Sequence, residues 1–338
     1  MHFNILTAVA LPELENSLVP LEDTVERLVF ETMDPYGMYT ENPEHLVFCA
    51  YEEGEDGAYE TGTMDCVRLP DGSIVCEFDR RFSGRYEIFE GKAYQKESGP
   101  LRHRKRTKRA KKFLPLPEYP LKKLYLTFQM YMEQYLGCFY NEKEQAYGYC
   151  ENPCAFWDWL EVGGRWSDVF LVKDDCPYVL RGAQANHHGS DRPAPDGYCW
   201  VSGARKCDIA WDKMKEVLTE DAVQKFHQLQ EWYRTGEVPE EQYGFVTVAP
   251  EGVYVFGRLV YQANETMEQN LRRSNPLLEA RYAVKPYAFI GGKGWMECEY
   301  SDSGDEDEAV DMRWNQAVQE LIDSLPEDVM LVSVDCHR

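Results

Sequence analysis

Apolar residues at the two ends of the chain follow the spacing of a strand and a helix, in mirrored order. The opening stretch HFNILTAVAL has the apolar content of a buried strand, and helical spacing follows near residues 20–31. At the far end, helical spacing over 312–325 stops at Pro326, and the apolar strand VMLVSVDC follows. This symmetry predicts that the first and last strands lie side by side in one sheet, with both helices packed on one face.

Between the ends, strand-like and helical runs are mixed without regular alternation. Turns containing proline or glycine separate two β-rich runs in VRLPDGSIVCEF and FVTVAPEGVYVFGRL, and YAFIGGKGWMECEY is similar, so each predicts a hairpin. Helical spacing covers LKKLYLTFQMYMEQYL, and TEDAVQKFHQLQEWYRTG predicts a helix from a capping Thr219 to Gly236. The order of elements predicts an α+β fold with a mixed or antiparallel sheet and inserted hairpins and helices.

Two blocks of charge interrupt these elements. Eight of the eleven residues from Arg102 to Lys112 are Lys or Arg, and the stretch SDSGDEDEAVD is acidic. Such blocks are typical of solvated segments, so we expect a mobile basic loop at about 95–113 and an acidic loop at about 301–311. The length of 338 residues favours one elaborated domain spanning 1–338.

Composition and charge restrict the class of protein. The hydrophobic share of 43% is that of a folded chain, and the net charge of −23 predicts repulsion from anionic membranes and from bulk nucleic acid, except through the basic loop. No apolar run reaches the ~18 residues that a membrane span needs. The first residues lack a basic leader, and eleven cysteines without framework spacing indicate reduced thiols. We therefore expect a cytoplasmic protein.

The stretch WDWLEVGGRW predicts a ligand-binding site. If it is extended, Asp158 faces the same way as Phe156, Leu160 and Val162. The two glycines allow a close backbone approach, and an arginine beside backbone amides and indole faces suits a phosphate or a carboxylate. The candidate ligand-binding residues are Arg165, Trp166, Asp158, Gly163 and Gly164.

A structural interpretation of the same stretch is also open. In it, Trp157 and Trp159 are core residues and Arg165 pairs with Asp158 or Glu161. We expect both tryptophans to be mainly core, and Arg165 to have a role beyond folding.

The last strand supplies the candidate catalytic residues. Alternation turns Val332, Val334 and Cys336 toward the helices, and it places Ser333, Asp335 and His337 together on the opposite face. An acid and an imidazole two residues apart can act as an acid/base pair or as metal ligands. They also occur as an ordinary hydrogen-bonded strand end.

A zinc site is not predicted. The possible ligands are Cys150, Cys154, Cys176, His187, His188 and Cys199. Their spacing lacks the tight two-residue knuckles of zinc-binding motifs, and the histidines lie among turn formers typical of a surface loop. We predict no metal and no cofactor.

Three blocks resemble, in order, a family of proteins from phages and prophages of Firmicutes. They are YGYCENPCAFWDWLEVGGRW, WVSGARKCDIAW and LPEDVMLVSVDCHR, and family members share Asn-Pro, Trp-Asp-Trp, Gly-Gly-Arg-Trp and a final Asp-Cys-His. The shared positions are Asn152, Pro153, Trp157, Asp158, Trp159, Gly163, Gly164, Arg165, Trp166, Asp335, Cys336 and His337. The family commonly has Lys where this chain has Phe156 and Tyr where it has Leu160, which argues against a chemical role for either position.

The resemblance implies a phage setting, in which accessory proteins often modify the host and its defences. We expect a phage-encoded cytoplasmic binding protein that sequesters or blocks a host factor, with a host protein or an anionic small molecule as partner. The alternative is a hydrolase or transferase acting on a phosphate-bearing or other anionic substrate. In that case His337 and Asp335 are the acid and base, and Arg165 holds the anion.

Overall fold

The chain forms two compact units where one domain is expected. The first is Met1–Glu41 with Cys154–Arg338, and the second is Asn42–Pro153. The computed structural model describes the following residues: 1–12, 19–51, 57–84, 86–89, 92–95, 113–184, 193–242, 244–298 and 308–338.

The first unit mixes helices with strands, which confirms the predicted α+β fold. Its helices are α1 (Leu21–Met33), α6 (Trp211–Thr235), α7 (Met267–Ser274) and α8 (Glu308–Ser324). Its strands are β1 (His2–Val9), β10 (Trp159–Gly164), β11 (Phe170–Lys173), β12 (Val179–Leu180), β13 (Ala183–Gln184), β14 (Tyr198–Val201), β15 (Gly203–Arg205), β16 (Val246–Ala249), β17 (Gly252–Val255), β18 (Arg258–Gln262), β19 (Ala288–Gly291), β20 (Gly294–Glu297) and β21 (Met330–His337).

The main sheet is built around the two terminal strands. Its order is β12-β15-β21-β1-β19-β20, and β10 and β13 extend it beside β21. β1 and β21 pair antiparallel along their whole length, from His2 opposite His337 to Val9 opposite Met330, as predicted. β1 and β19 run parallel, so the sheet is mixed. The predicted hairpin in YAFIGGKGWMECEY is β19–β20.

The main sheet buries apolar side chains on both of its faces. On β1, Ile5 and Val9 pack with α1, whereas Leu6 packs with α6 and α8. The expectation that the helices near 20–31 and 312–325 share one face is therefore wrong. A strand with apolar side chains on both faces needs a cover on both, and one helix layer cannot supply it.

Helix α6 joins the main sheet to a separate three-stranded meander, β16-β17-β18, which contains a predicted hairpin. The predicted end of the helix at Gly236 is confirmed, since this residue caps it with a positive φ of 72°. Its predicted start at Thr219 is wrong. The Thr219 hydroxyl donates to the Lys215 carbonyl within the helix, and buried Met214 and Val217 continue the apolar stripe back to Trp211.

The second unit contains short helices and three small sheets. Its helices are α2 (Gly57–Thr61), α3 (Arg80–Ser83), α4 (Leu121–Leu124) and α5 (Phe128–Met130). Its strands are β2 (Val47–Ala50), β3 (Thr63–Arg68), β4 (Ile74–Cys76), β5 (Tyr86–Phe89), β6 (Lys92–Gln95), β7 (Leu114–Pro120), β8 (Phe139–Asn141) and β9 (Ala146–Glu151). The sheets are ordered β2-β9-β8, β4-β3-β7 and β5-β6. The predicted hairpin in VRLPDGSIVCEF is β3–β4. The helix expected over 121–136 is broken, because Tyr125 is extended, and it resumes at Phe128.

The two predicted charged loops lie largely outside the described residues. Residues 96–112 of the basic loop and 301–307 of the acidic loop are not among them. Residues 308–311 of the expected acidic loop belong to α8. Within the described part of the chain, no helix has both the length and the apolar content to cross a membrane.

Candidate functional site

The carboxyl end of β21 brings three distant segments together. β21 pairs with β1 on one side, and the second half of its other side pairs with β10. In this register His337 lies opposite both His2 and Trp159. A cross-strand row of two imidazoles and an indole follows from the pairing alone.

Each histidine in this row is bound by an aspartate. Nδ1 of His2 lies 2.9 Å from Oδ1 of Asp335, and Nδ1 of His337 lies 2.9 Å from Oδ1 of Asp158. The two imidazole centroids are 5.1 Å apart, with one ring edge-on to the other. We call His2 and His337 with their two aspartates the histidine pair.

The aspartates determine which nitrogen of each ring can do chemistry. An ionised carboxylate only accepts, so each Nδ1–H donates to its aspartate when the imidazole is neutral, and each Nε2 carries the lone pair. Among the described residues, neither Nε2 makes a hydrogen bond. The side chains are 24% exposed at His2 and 41% exposed at His337, so a solute can reach them.

Asp335 is a buried positioning residue. Only 1% of it is exposed, and its second oxygen, Oδ2, accepts from the main-chain N–H of Arg165 at 3.1 Å. Both oxygens are therefore occupied. Asp335 and His337 share a face as predicted, but they do not pair with each other, because each is bound by a residue from a neighbouring segment.

The two glycines of the motif are explained by packing within the protein. A Cβ on Gly164 would lie 2.7 Å from the Asp335 carboxylate, and one on Gly163 would lie 2.8 Å from the Ala183 carbonyl oxygen and from the Ser202 hydroxyl. Both have positive φ, at 56° and 79°. The close approach that these glycines were expected to allow is made at Gly163 by the backbone of β13 and at Gly164 by the side chain of Asp335.

Arg165 follows these glycines, and its guanidinium is available to bind a ligand. It is half-buried, and the described residues provide no hydrogen bond or ion pair to its guanidinium. The structural interpretation paired it with Asp158 or Glu161, but Asp158 binds His337 instead. Next to it, Trp166 contributes its main-chain carbonyl, which lies 3.0 Å from the Ser333 hydroxyl.

The tryptophans on either side of Asp158 have opposite environments. Trp157 packs against the α1 side of the core and donates its Nε1–H to the Met33 carbonyl at 3.0 Å. Trp159 is 42% exposed, and its ring lies edge-on to His2 at 5.9 Å. Trp159 was expected to be core, and this is wrong. β10 begins only at Trp159, so the alternation expected from Phe156 onward does not apply and Asp158 turns toward His337.

His2 was not identified from the sequence, although a signal for it existed. The terminal strands were predicted to be neighbours, and His2 and His337 stand at the outer ends of those strands. A correct assignment of the register between β1 and β21 would have placed the two histidines opposite each other. Asp158 could not be found in this way, because its partner depends on where β10 docks.

Within the described part of the chain, the cysteines and the other histidines form no metal centre. All eleven cysteines are free thiols, and the described residues contain no group of three or more side chains that could hold a metal ion. His187 and His188 lie outside the described residues. Cys336, within the Asp-Cys-His motif, is fully buried, and burial followed by the neighbouring Asp335 charge raises the pKa of its thiol well above the ordinary value. It is therefore a core residue.

No family model, curated protein or solved structure matches the chain.

Proposed function

We propose that the chain is a hydrolase or transferase that performs acid/base chemistry on a phosphate-bearing or other anionic substrate at the histidine pair. The observation that carries the proposal is the pairing of two adjacent imidazoles with two separate aspartates, each through Nδ1. This arrangement supports it because both Nε2 atoms lie on one accessible end of the sheet, beside an exposed indole.

The roles follow from protonation. One imidazole in its neutral form takes a proton from the attacking hydroxyl or water, while the other in its protonated form gives one to the leaving oxygen. Asp335 and Asp158 keep the rings oriented by binding Nδ1 of each imidazole. Arg165 is the candidate to hold the negative charge of the substrate, because a guanidinium matches phosphate and carboxylate with two parallel hydrogen bonds.

The test measures turnover of p-nitrophenyl phosphate and bis-(p-nitrophenyl) phosphate by the purified chain. We expect His337→Gln to lower kcat by about 10²–10⁴-fold while the protein remains folded. His227→Gln, at an exposed histidine on α6, is the matched control and should retain full activity. A bell-shaped pH profile is expected, since one ring must be neutral and the other protonated.

Arg165→Lys separates anion binding from acid/base chemistry. The charge is kept and the planar fork is lost, so kcat/KM should fall with an unchanged melting temperature. No turnover above background by the parent, or equal turnover by the parent and His337→Gln, would contradict the proposal.

A second function is favoured by the net charge of −23. We propose, as the alternative, that the chain is a phage-encoded protein of the host cytoplasm that sequesters or blocks a basic host factor, because an acidic surface can imitate nucleic acid toward such a partner. The free thiols support it, because they suit a reducing compartment. The phage setting is part of the proposal and is what the resemblance of the sequence motifs implies. The test is mass spectrometry of the host proteins that copurify with the chain from infected cells and that are released by salt.

A further inference from the structure

A groove of about 1240 Å³ lies between α6, β18 and α7, and its charge differs from that of the rest of the chain. Its lining includes four cationic side chains, Lys225, Arg258, Arg273 and Lys285, and one carboxylate, Asp221. The chain as a whole carries a net charge of −23. Arg273 forms an ion pair with Glu265, so the excess of positive charge in the lining comes from Lys225, Arg258 and Lys285 against Asp221. Such an excess in so acidic a protein marks a site where an anion is attracted. We call this the basic groove.

One wall of the basic groove is held in place by internal bonds. Arg273 donates through Nη2 to Glu265 at 2.8 Å and through Nη1 to the Leu259 carbonyl at 2.9 Å. Helix α7 begins with a capping box between Thr266 and Gln269, which fixes its start next to Glu265. A wall fixed before binding reduces the entropy that a ligand must overcome.

The remaining lining suits a ligand with both polar and apolar parts. Gln224, Gln228 and Asn275 offer hydrogen-bonding amides, and Leu218, Leu277 and Pro276 offer apolar surface. Small-molecule sites typically combine these features in about 300–1,000 Å³, so this groove has room for a ligand the size of a nucleotide or larger.

The basic groove continues toward the sheet face that carries the histidine pair. A neighbouring cavity of about 160 Å³ shares Leu218, Ala283 and Lys285 with it and is also lined by Asn4 and Ser333. Ser333 stands two residues before Asp335 on the same face of β21.

We propose that the basic groove binds a compact ligand carrying two or more phosphate groups, of the nucleoside triphosphate class. A compact ligand is favoured over a nucleic acid strand because a strand would extend beyond the local cations and meet the acidic remainder of the chain. The proposal concerns a second site and does not depend on turnover at the histidine pair.

The test is isothermal titration calorimetry of the full chain with ATP and with pyrophosphate. The double variant Lys225→Glu with Arg258→Glu should weaken ATP binding at least about tenfold, because two charge-assisted contacts are lost. The control is Lys213→Glu with Arg234→Glu, which makes the same charge change on α6 outside the groove. It should weaken binding by no more than about twofold, since distant exposed charges are screened.

The melting temperatures of both variants are measured first. If the groove variant unfolds, the milder pair Lys225→Gln with Arg258→Gln is compared with Lys213→Gln and Arg234→Gln. Absence of ATP and pyrophosphate binding to the parent overturns the proposal, as does equal weakening by groove and control variants. Tighter binding of a single-stranded oligonucleotide than of ATP would assign the groove to nucleic acid instead.

Discussion

The carboxylate of Asp335 lies 2.9 Å from Nδ1 of His2, a residue 333 positions earlier in the chain. The contact exists because β1 and β21 pair antiparallel in a single register. A slip of one residue would turn His2 and Asp335 to opposite faces and expose core residues such as Ile5. The geometry of the histidine pair is therefore fixed by the hydrophobic core beneath it.

Asp335→Asn should destabilise the protein by about 1–3 kcal/mol, because an amide offers one acceptor oxygen where the carboxylate offers two, and both are in use. Either the Arg165 amide or the His2 ring then loses its acceptor. Chemical denaturation measures the loss, and ¹⁵N NMR of the imidazoles should detect a change in the His2 tautomer.

Asp158→Asn is the matched control for this change. The Asp158 side chain is 31% exposed, so water can replace the lost bond and the cost should stay below about 1 kcal/mol. Equal losses for the two variants would contradict the distinct roles assigned to the two aspartates.

Gly164→Ala should lower the free energy of unfolding by about 2–4 kcal/mol. About 1–2 kcal/mol of this comes from the positive φ, and the rest comes from the overlap of the new Cβ with Asp335. Gly257→Ala isolates the first contribution, since Gly257 has a φ of 78° and open space where a Cβ would stand. The difference between the two variants, measured by urea denaturation, reports the crowding at Asp335. If Gly164→Ala costs no more than Gly257→Ala, the close packing described for Asp335 is incorrect.

The two tryptophans beside Asp158 should respond differently to truncation. Trp157→Ala removes a half-buried ring packed against the core and the donor to Met33, so about 2–3 kcal/mol of unfolding free energy should be lost. Trp159→Ala removes a ring that is 42% exposed, so the loss should be about 1 kcal/mol or less. Equal losses in chemical denaturation would show that Trp159 is a core residue after all.

Local patterns predicted those parts of the fold that depend on neighbouring residues. Apolar spacing identified the terminal strands, turn chemistry identified the hairpins, and Gly236 marked the end of α6. The faces of the helices were missed although the information was present. Ile5 and Leu6 are adjacent and both apolar, so β1 needs cover on both sides.

The candidate site was only half predictable, because its contacts join distant parts of the sequence. Alternation correctly placed Ser333, Asp335 and His337 on one face. The partners His2 and Asp158 come from strand register and from the docking of β10, which no local pattern encodes.

The meander and α7 should lose stability in acid through Glu265. Burial acts to raise the pKa of this carboxyl, but hydrogen bonds from Arg273, from the Gln262 main chain and from Asn270 together hold it below its ordinary value of 4.5. A carboxyl whose pKa is lower in the folded state stabilises the protein above the unfolded pKa and loses this contribution as pH falls through the folded pKa. Glu265→Gln should therefore lower the free energy of unfolding by about 1–3 kcal/mol near neutral pH. The difference in this free energy between the parent and the variant should shrink below about pH 4.5.

The matched control for Glu265→Gln is Glu268→Gln, three residues later in the first turn of α7. The Glu268 side chain is 83% exposed and lies 3.6 Å from Arg272, so its replacement should have little effect at any pH. Urea denaturation of the three proteins at several pH values between neutral and acidic gives the comparison. A difference between the parent and Glu265→Gln that stays constant down to the most acidic pH would show that the carboxylate charge contributes nothing, and that Arg273 is held by packing and by the carbonyls of Leu259 and Val260.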